Sequence, residues 1–288
     1  MITMRKTTLL LAATVLGCAP GAGTNQPRGA SPAAVLLAYA PQASPLTYVT
    51  VDSGNVRMEI PQMGPMDVAF NLSATSRLAL ASGSDGLDAT INLTELSGQM
   101  SNPQTGTTGV DNTMIPRDPA RVSVTRAGGI TRTAFPELSR SLRDVTTAAT
   151  LFRTLFVRLP VGAVRPGATW VDTVDVSDQL GGLNMTQRHE LHSTYVGDTV
   201  IAGRRLARID ATSNITMSVT GDANGMQIEQ RLIGAGRQSV LWDAARGALV
   251  ERRFENNATG SMTVVGAGIG DIPMTQRSRT VTRLREGG

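Results

Sequence analysis

From Leu46 onward, apolar and polar residues alternate with a period of two in one segment after another. Val56, Met58 and Ile60 alternate with Arg57 and Glu59, and Met66, Val68, Phe70 and Leu72 alternate with Asp67, Ala69 and Asn71. Successive side chains of a strand point to opposite faces, so this pattern predicts strands with one face buried and one wet. Gly83-Ser84-Asp85-Gly86 separates two such runs as a hairpin turn would. Residues 101–119 are polar and turn-forming and predict a long loop, and Arg121 to Arg132 predicts a hairpin around Gly128-Gly129. Beyond residue 180 the alternation is cleaner. Leu183, Met185, Gln187, His189, Leu191 and Tyr195 share one parity, as do Ala207, Ile209, Ala211, Ile215, Met217 and Val219. Met226, Ile228 and Leu232 lead to Val240 and Trp242, Asp243 to Gly247 forms a turn, and Ile272 to Leu284 supplies a last strand.

One stretch has a different period. Leu138, Leu142, Val145, Ala149, Phe152 and Phe156 recur at spacings of three and four, which predicts one amphipathic helix near 136–157. Pro136 and Glu137 suit its first turn and Pro160 stops it. The expected fold is therefore mainly β: an antiparallel, strongly curved sheet, a half-barrel-like meander, with that one helix packed on it.

The N-terminus is organised differently. Arg5 and Lys6 precede a short apolar run, Thr7 to Gly17, and then Cys18, the only cysteine. A charged start, about ten apolar residues and a small residue before a cut are the marks of a secretory signal. The run is too short for a membrane span, which needs about 20 apolar residues. Val15-Leu16-Gly17-Cys18 resembles the lipobox of bacterial lipoproteins. That resemblance implies a signal peptide over 1–17, acyl chains on Cys18 and attachment to a membrane of the cell envelope. Ala19 follows Cys18 where many inner-membrane lipoproteins carry aspartate, which implies the outer membrane in a Gram-negative source. Residues 18–45, rich in Ala, Pro, Gly and Ser, then read as the lipidated cysteine and a flexible tether, with 46–288 as the β-rich domain. Inside the tether, Ala33 to Ala40 is apolar enough to dock or to add a short element.

Composition narrows the chemistry. The formal net charge is +4 and Lys6 is the only lysine, so the mature chain is basic through scattered arginines alone. No cluster suggests nucleic acid. A lone cysteine excludes an internal disulfide. His189 and His192 are the only histidines, and three apart in a strand they point to opposite faces, so neither a metal nor a cofactor is expected. No phosphate loop or nucleophile elbow occurs, and no general base, nucleophile or metal set comes together, so an enzyme is not expected and no catalytic residue is named. Ten of the twelve methionines lie beyond Cys18. Met185, Met217 and Met226 fall on the apolar parity of their strands, where deformable side chains line a ligand space or simply fill a core.

Leu159-Pro160, Gly167 and Trp170 resemble a segment of an uncharacterised family of β-rich bacterial lipoproteins, where it precedes the second half of the sheet. The predicted layout is similar in outline to the half-barrels of periplasmic lipoprotein carriers and lipid-binding lipoproteins. The first resemblance implies no known activity, and the second is one of architecture. The expected function is a non-catalytic, membrane-anchored lipoprotein holding an apolar ligand between sheet and helix, or a structural or assembly lipoprotein whose surface binds another envelope protein.

Overall fold

The computed structural model describes residues 33–104, 106–180, 182–223, 225–266 and 270–286. The chain is mainly β and antiparallel. Among the described residues, twelve strands form one strongly curled, half-barrel sheet: β2 (Leu46–Ile60), β3 (Gly64–Gly83), β4 (Gly86–Asn102), β5 (Gly106–Val110), β6 (Ala120–Val124), β7 (Ile130–Ala134), β9 (Thr169–Leu180), β10 (Leu183–Ile201), β11 (Arg204–Ala223), β12 (Met226–Asp243), β13 (Ala248–Val265) and β14 (Ile272–Arg285). Two short strands, β1 (Val35–Leu36) and β8 (Ala163–Val164), pair separately.

The strand order is β7-β6-β4-β3-β2-β14-β13-β12-β11-β10-β9, with β5 added on β4. The first and last long strands thus pair in the middle, and a meander runs outward from each to an edge. The connection from β7 to β9 must therefore pass from one edge of the sheet to the other. That connection holds the helices: α1 (Arg140–Arg143), touching β5, and α2 (Ala148–Arg153), touching β9.

The single helix expected near 136–157 is thus replaced by two short ones. Ser139 and Thr147 each accept a hydrogen bond from the third residue on, Leu142 N–H and Thr150 N–H, and so start two helices where the periodicity suggested one. The apolar stripe is still buried: Leu138, Leu142, Ala149, Phe152 and Phe156 are all in the interior, and Val145 packs against it. Stripe periodicity reports burial, and local hydrogen-bonding residues decide where a helix breaks.

Two further expectations change. Part of 101–119, expected as a loop, forms β5, paired with β4 from Gly98↔Val110 to Asn102↔Gly106. Residues 33–45, read as part of the tether, belong to the folded unit, which begins at Ala33, and the apolar stretch Ala33–Ala40 both docks and supplies β1, as its composition allowed. Tyr39 is buried in the core. Its ring meets Trp242 edge-on at 4.6 Å, and its hydroxyl accepts the Val157 N–H at 2.7 Å. The backbone of this arm also bonds to Arg126, Gly247 and Leu80.

The curl has an identifiable cause. Gly54, Gly98, Gly234 and Gly260 all lie on the inward parity of their strands. A Cβ on any of them would come within 2.3 Å or less of a carbonyl oxygen of the neighbouring strand, and within 1.8 Å at Gly260. The pleat closes on its concave side only because these positions carry no side chain.

The convex face is polar and charged. Arg277, Arg279, Arg283 and Arg285 lie along β14, with ion pairs such as Arg283–Glu251 at 2.7 Å and Arg279–Glu255 at 3.4 Å.

Candidate functional site

The cross-strand register resolves the concave face into three zones along the strands. At the end reached by the arm and the helices, a large core includes Leu46, Tyr48, Leu78, Tyr195 and Trp242. At the opposite end lies a second, smaller cluster of Met58, Leu232, Ala258, Ile272 and Met274. Val56, Met66, Val68, Met217 and Met262 lie against it and are only partly buried. The large core includes residues of the arm and of the α1–α2 segment, whereas among the described residues none from those elements joins the second cluster.

Between them runs a polar belt. Asp52, Arg252, Gln238, Thr280, Ser213, Asn256, Ser278 and His189 all point inward from β2 and β10 to β14. Arg252 Nε donates to Gln238 Oε1 at 2.7 Å and Nη1 to the Thr154 carbonyl at 3.3 Å. Its guanidinium stands over the Phe254 ring at 5.3 Å, and that ring lies 5.9 Å from the His189 imidazole. Desolvation lowers the Arg252 pKa to about 10, and the nearby Tyr39 and Asp52 partly restore it, so the group stays charged at neutral pH. Burial pushes His189 down to about 4, and Arg252 adds to the effect, so this histidine is neutral at pH 7. Burial likewise raises the Asp52 carboxyl, against a hydrogen bond of 2.9 Å from Thr280 Oγ1.

The space between α2 and the sheet is nearly filled. A void of about 10 Å³ remains there, lined by Thr50, Asp52, Thr150, Thr154 and Thr280 among others. That is about one water and far short of a ligand. A hollow of about 550 Å³ lies on the convex face among His192, Arg208, Arg237, Arg253, Asp210 and Glu255. It is wide open, and its charges mix, with Arg208 bound to Asp210 through two hydrogen bonds.

The methionines singled out in the sequence share the concave parity but not the same surroundings. Met185 is buried beside Val219, Met217 sits partly buried against the second cluster, and Met226 is 48 % exposed at the β11–β12 turn. Met58, Met66, Met262 and Met274 complete the lining. His189 faces inward, while His192 is exposed on the convex face and bonds Glu190 at 2.8 Å. The pair therefore builds no joint site. Asp172 and Asp178 point inward, to Arg158 at 3.5 Å and to the Ala149 N–H at 2.6 Å, whereas Asp175 pairs with Arg188 on the other face. Cys18 lies outside the described residues.

Arg252 was not singled out in the sequence. Its strand is bulged opposite Leu241 and Trp242, so the inward parity changes from Leu249 to Arg252. Phe254, Ala258 and Met262, on the same parity beyond the bulge, are the signal that could have placed it.

No family profile matches the chain, and no curated protein sequence does. Among solved structures it is similar to DynF from the dynemicin biosynthesis pathway of Micromonospora chersina, at 8% identity over 88% of this chain and 85% of that one, with a TM-score of 0.24. It is also similar to OpdK of Pseudomonas aeruginosa in a structure with vanillate, at 8% identity over 83% and 99% and a TM-score of 0.18. Likeness this slight carries no inference about fold or function.

Proposed function

We propose that the protein is a non-catalytic envelope lipoprotein, anchored to a membrane through acylated Cys18, that binds an apolar ligand on the concave face of its sheet. The ligand lies beyond the margin of the helices rather than beneath them, because the space beneath is filled. The observation that supports this reading is the second, methionine-rich cluster on the concave face, buried at Met58, Leu232, Ile272 and Met274 but rimmed by the partly buried Met66, Met217 and Met262, apart from the core that the arm and the α1–α2 segment join. Methionine side chains are unbranched and polarizable, so they fill such a trough when it is empty and rearrange around varied apolar guests. The stripe from Leu138 to Phe156 acts in this scheme as one continuous cover that defines where the trough ends. In a Gram-negative source the anchor places the domain at the outer membrane.

The test is native mass spectrometry of the full chain extracted from its own membrane. The ligand reading expects a co-purifying apolar compound released by solvent. The second reading, docking of an envelope protein, draws on the same partly exposed patch and expects instead a protein cross-linked to residues placed at Met66 or Met262.

A further inference from the structure

Resting on the anchor at Cys18, we propose that the end of the sheet crossed by the arm docks on an anionic lipid surface, its exposed apolar tips set among the headgroups and its arginines against their phosphates.

The register gathers four turns at this end, at 84–85, 125–129, 202–203 and 244–247. The arm lies across them. The Tyr39, Ala40 and Gln42 N–H groups donate to the carbonyls of Arg126, Gly247 and Leu80, and the Leu159 N–H donates to Ala127. Just before, β1 pairs with β8 through Leu36↔Ala163, so the chain enters the fold here.

Large apolar side chains point outward at this end. Val161 is 95 % exposed at the bend before Gly162, and Leu36 is exposed in the adjoining pair of strands. At the tip of the β10–β11 hairpin Val200 is 69 % exposed, and Ile201 follows it. Side chains held at such tips gain nothing from the core and are stabilised only by an apolar surface outside it. Basic groups stand among them. Arg126, Arg165 and Arg246 are exposed and, among the described residues, have no carboxylate within ion-pair distance. Asp85 is the one carboxylate on the four turns. Apolar tips beside uncancelled arginines match a layer of anionic headgroups over hydrocarbon. The opposite end also exposes an apolar residue, Met63, but its connecting segments 61–63, 181–182, 224–225 and 266–271 carry no arginine.

The length of chain before the arm selects the same end. Cys18 and Ala33 are 15 residues apart (33 − 18 = 15), a path of at most about 50 Å. β11 is 20 residues long, roughly 65 Å from end to end. An anchor at Cys18 therefore allows the arm's end to meet the membrane and keeps the far tips from it while the strands stand upright. The methionine-rich cluster then lies on the side turned away from the lipid.

The experiment uses the full chain extracted with its anchor and reconstituted into vesicles of equal parts phosphatidylethanolamine and phosphatidylglycerol, with nitroxide-labelled lipid as quencher. An acylated Cys18 offers no free thiol, so a fluorophore reports from one introduced cysteine at a time: Val161→Cys, Ile201→Cys or Met63→Cys. All three sites are exposed, so the labels leave the core intact. Val161→Cys and Ile201→Cys should be quenched and Met63→Cys should not, and the quenching should weaken in high salt or in vesicles of phosphatidylcholine alone. Quenching at none of the three, or equally at all, would overturn the docking and leave the anchor standing. Quenching indifferent to both salt and lipid charge would overturn the part given to the arginines. Labelling of the wild-type chain at Cys18 would show a free thiol and remove the anchor together with the docking.

Discussion

Gly260→Ala tests whether the curl of the sheet depends on the missing side chains. Gly260 faces inward on β13, opposite Leu232 of β12. A Cβ there would sit 1.8 Å from the Arg231 carbonyl oxygen and 3.0 Å from the Leu232 Cα. An ordinary carbon–oxygen contact is about 3.3 Å, so the two strands must part locally by about 1.5 Å. Overpacking of this kind costs about 1–3 kcal/mol, and each weakened ladder hydrogen bond adds about 0.5–1.5 kcal/mol. A total of roughly 2–5 kcal/mol would lower the melting temperature of a domain this size by roughly 5–15 °C. Gly109→Ala is the control, because a Cβ there meets nothing within 4 Å and its backbone needs no glycine. It should be neutral or stabilising by up to about 1 kcal/mol. Thermal unfolding followed by circular dichroism reads both. If Gly260→Ala melts within about 1 °C of Gly109→Ala, the close approach does not set the curl.

Leu142 is fully buried and Arg143 is its half-exposed neighbour, so Leu142→Asp should cost several kcal/mol and Arg143→Asp about 0.5 kcal/mol or less in urea unfolding; equal midpoints would mean the stripe is not buried. His189, held near 4 when folded against an ordinary 6.5, binds its proton more readily in the unfolded chain, so its share of stability is lost as pH falls from about 6.5 to 4. His189→Gln should flatten the stability profile over that window, and an unchanged slope would contradict the buried, neutral assignment. Cys18→Ser should yield a chain without acyl mass and uncleaved at this site, whereas an unmodified wild-type N-terminus would remove the anchor from the account.

Much of the sheet was legible because period-two alternation survives wherever one face is dry. The inward parities of β2, β3, β10 and β11, and the opposite facing of His189 and His192, follow from it directly. The single helix was not legible as two, because apolar spacing is blind to Ser139 and Thr147 offering local caps. β5 was hidden in Gly106-Thr-Thr-Gly-Val110, where only Val110 carries an apolar signal. That Ala33–Ala40 could dock was legible from its apolar composition, but the partners of Tyr39, Trp242 and Val157, lie far along the chain and are encoded by no local pattern. Of the candidate site, the methionine parity was readable, but Arg252 was masked by the bulge at Trp242, and nothing local marks Gly54, Gly98, Gly234 and Gly260 as places where neighbouring strands touch.

The most direct test of the account combines composition with a substitution in the trough. Native mass spectrometry of wild type and Met217→Trp, purified side by side from membranes, should show an apolar compound on the wild type and much less on the variant. Stability should change by no more than about 1 kcal/mol, because the enlarged side chain occupies ligand space. Wild-type protein that carries nothing, with Met217→Trp melting well below it, would contradict the ligand site and leave the methionine cluster as a packed core.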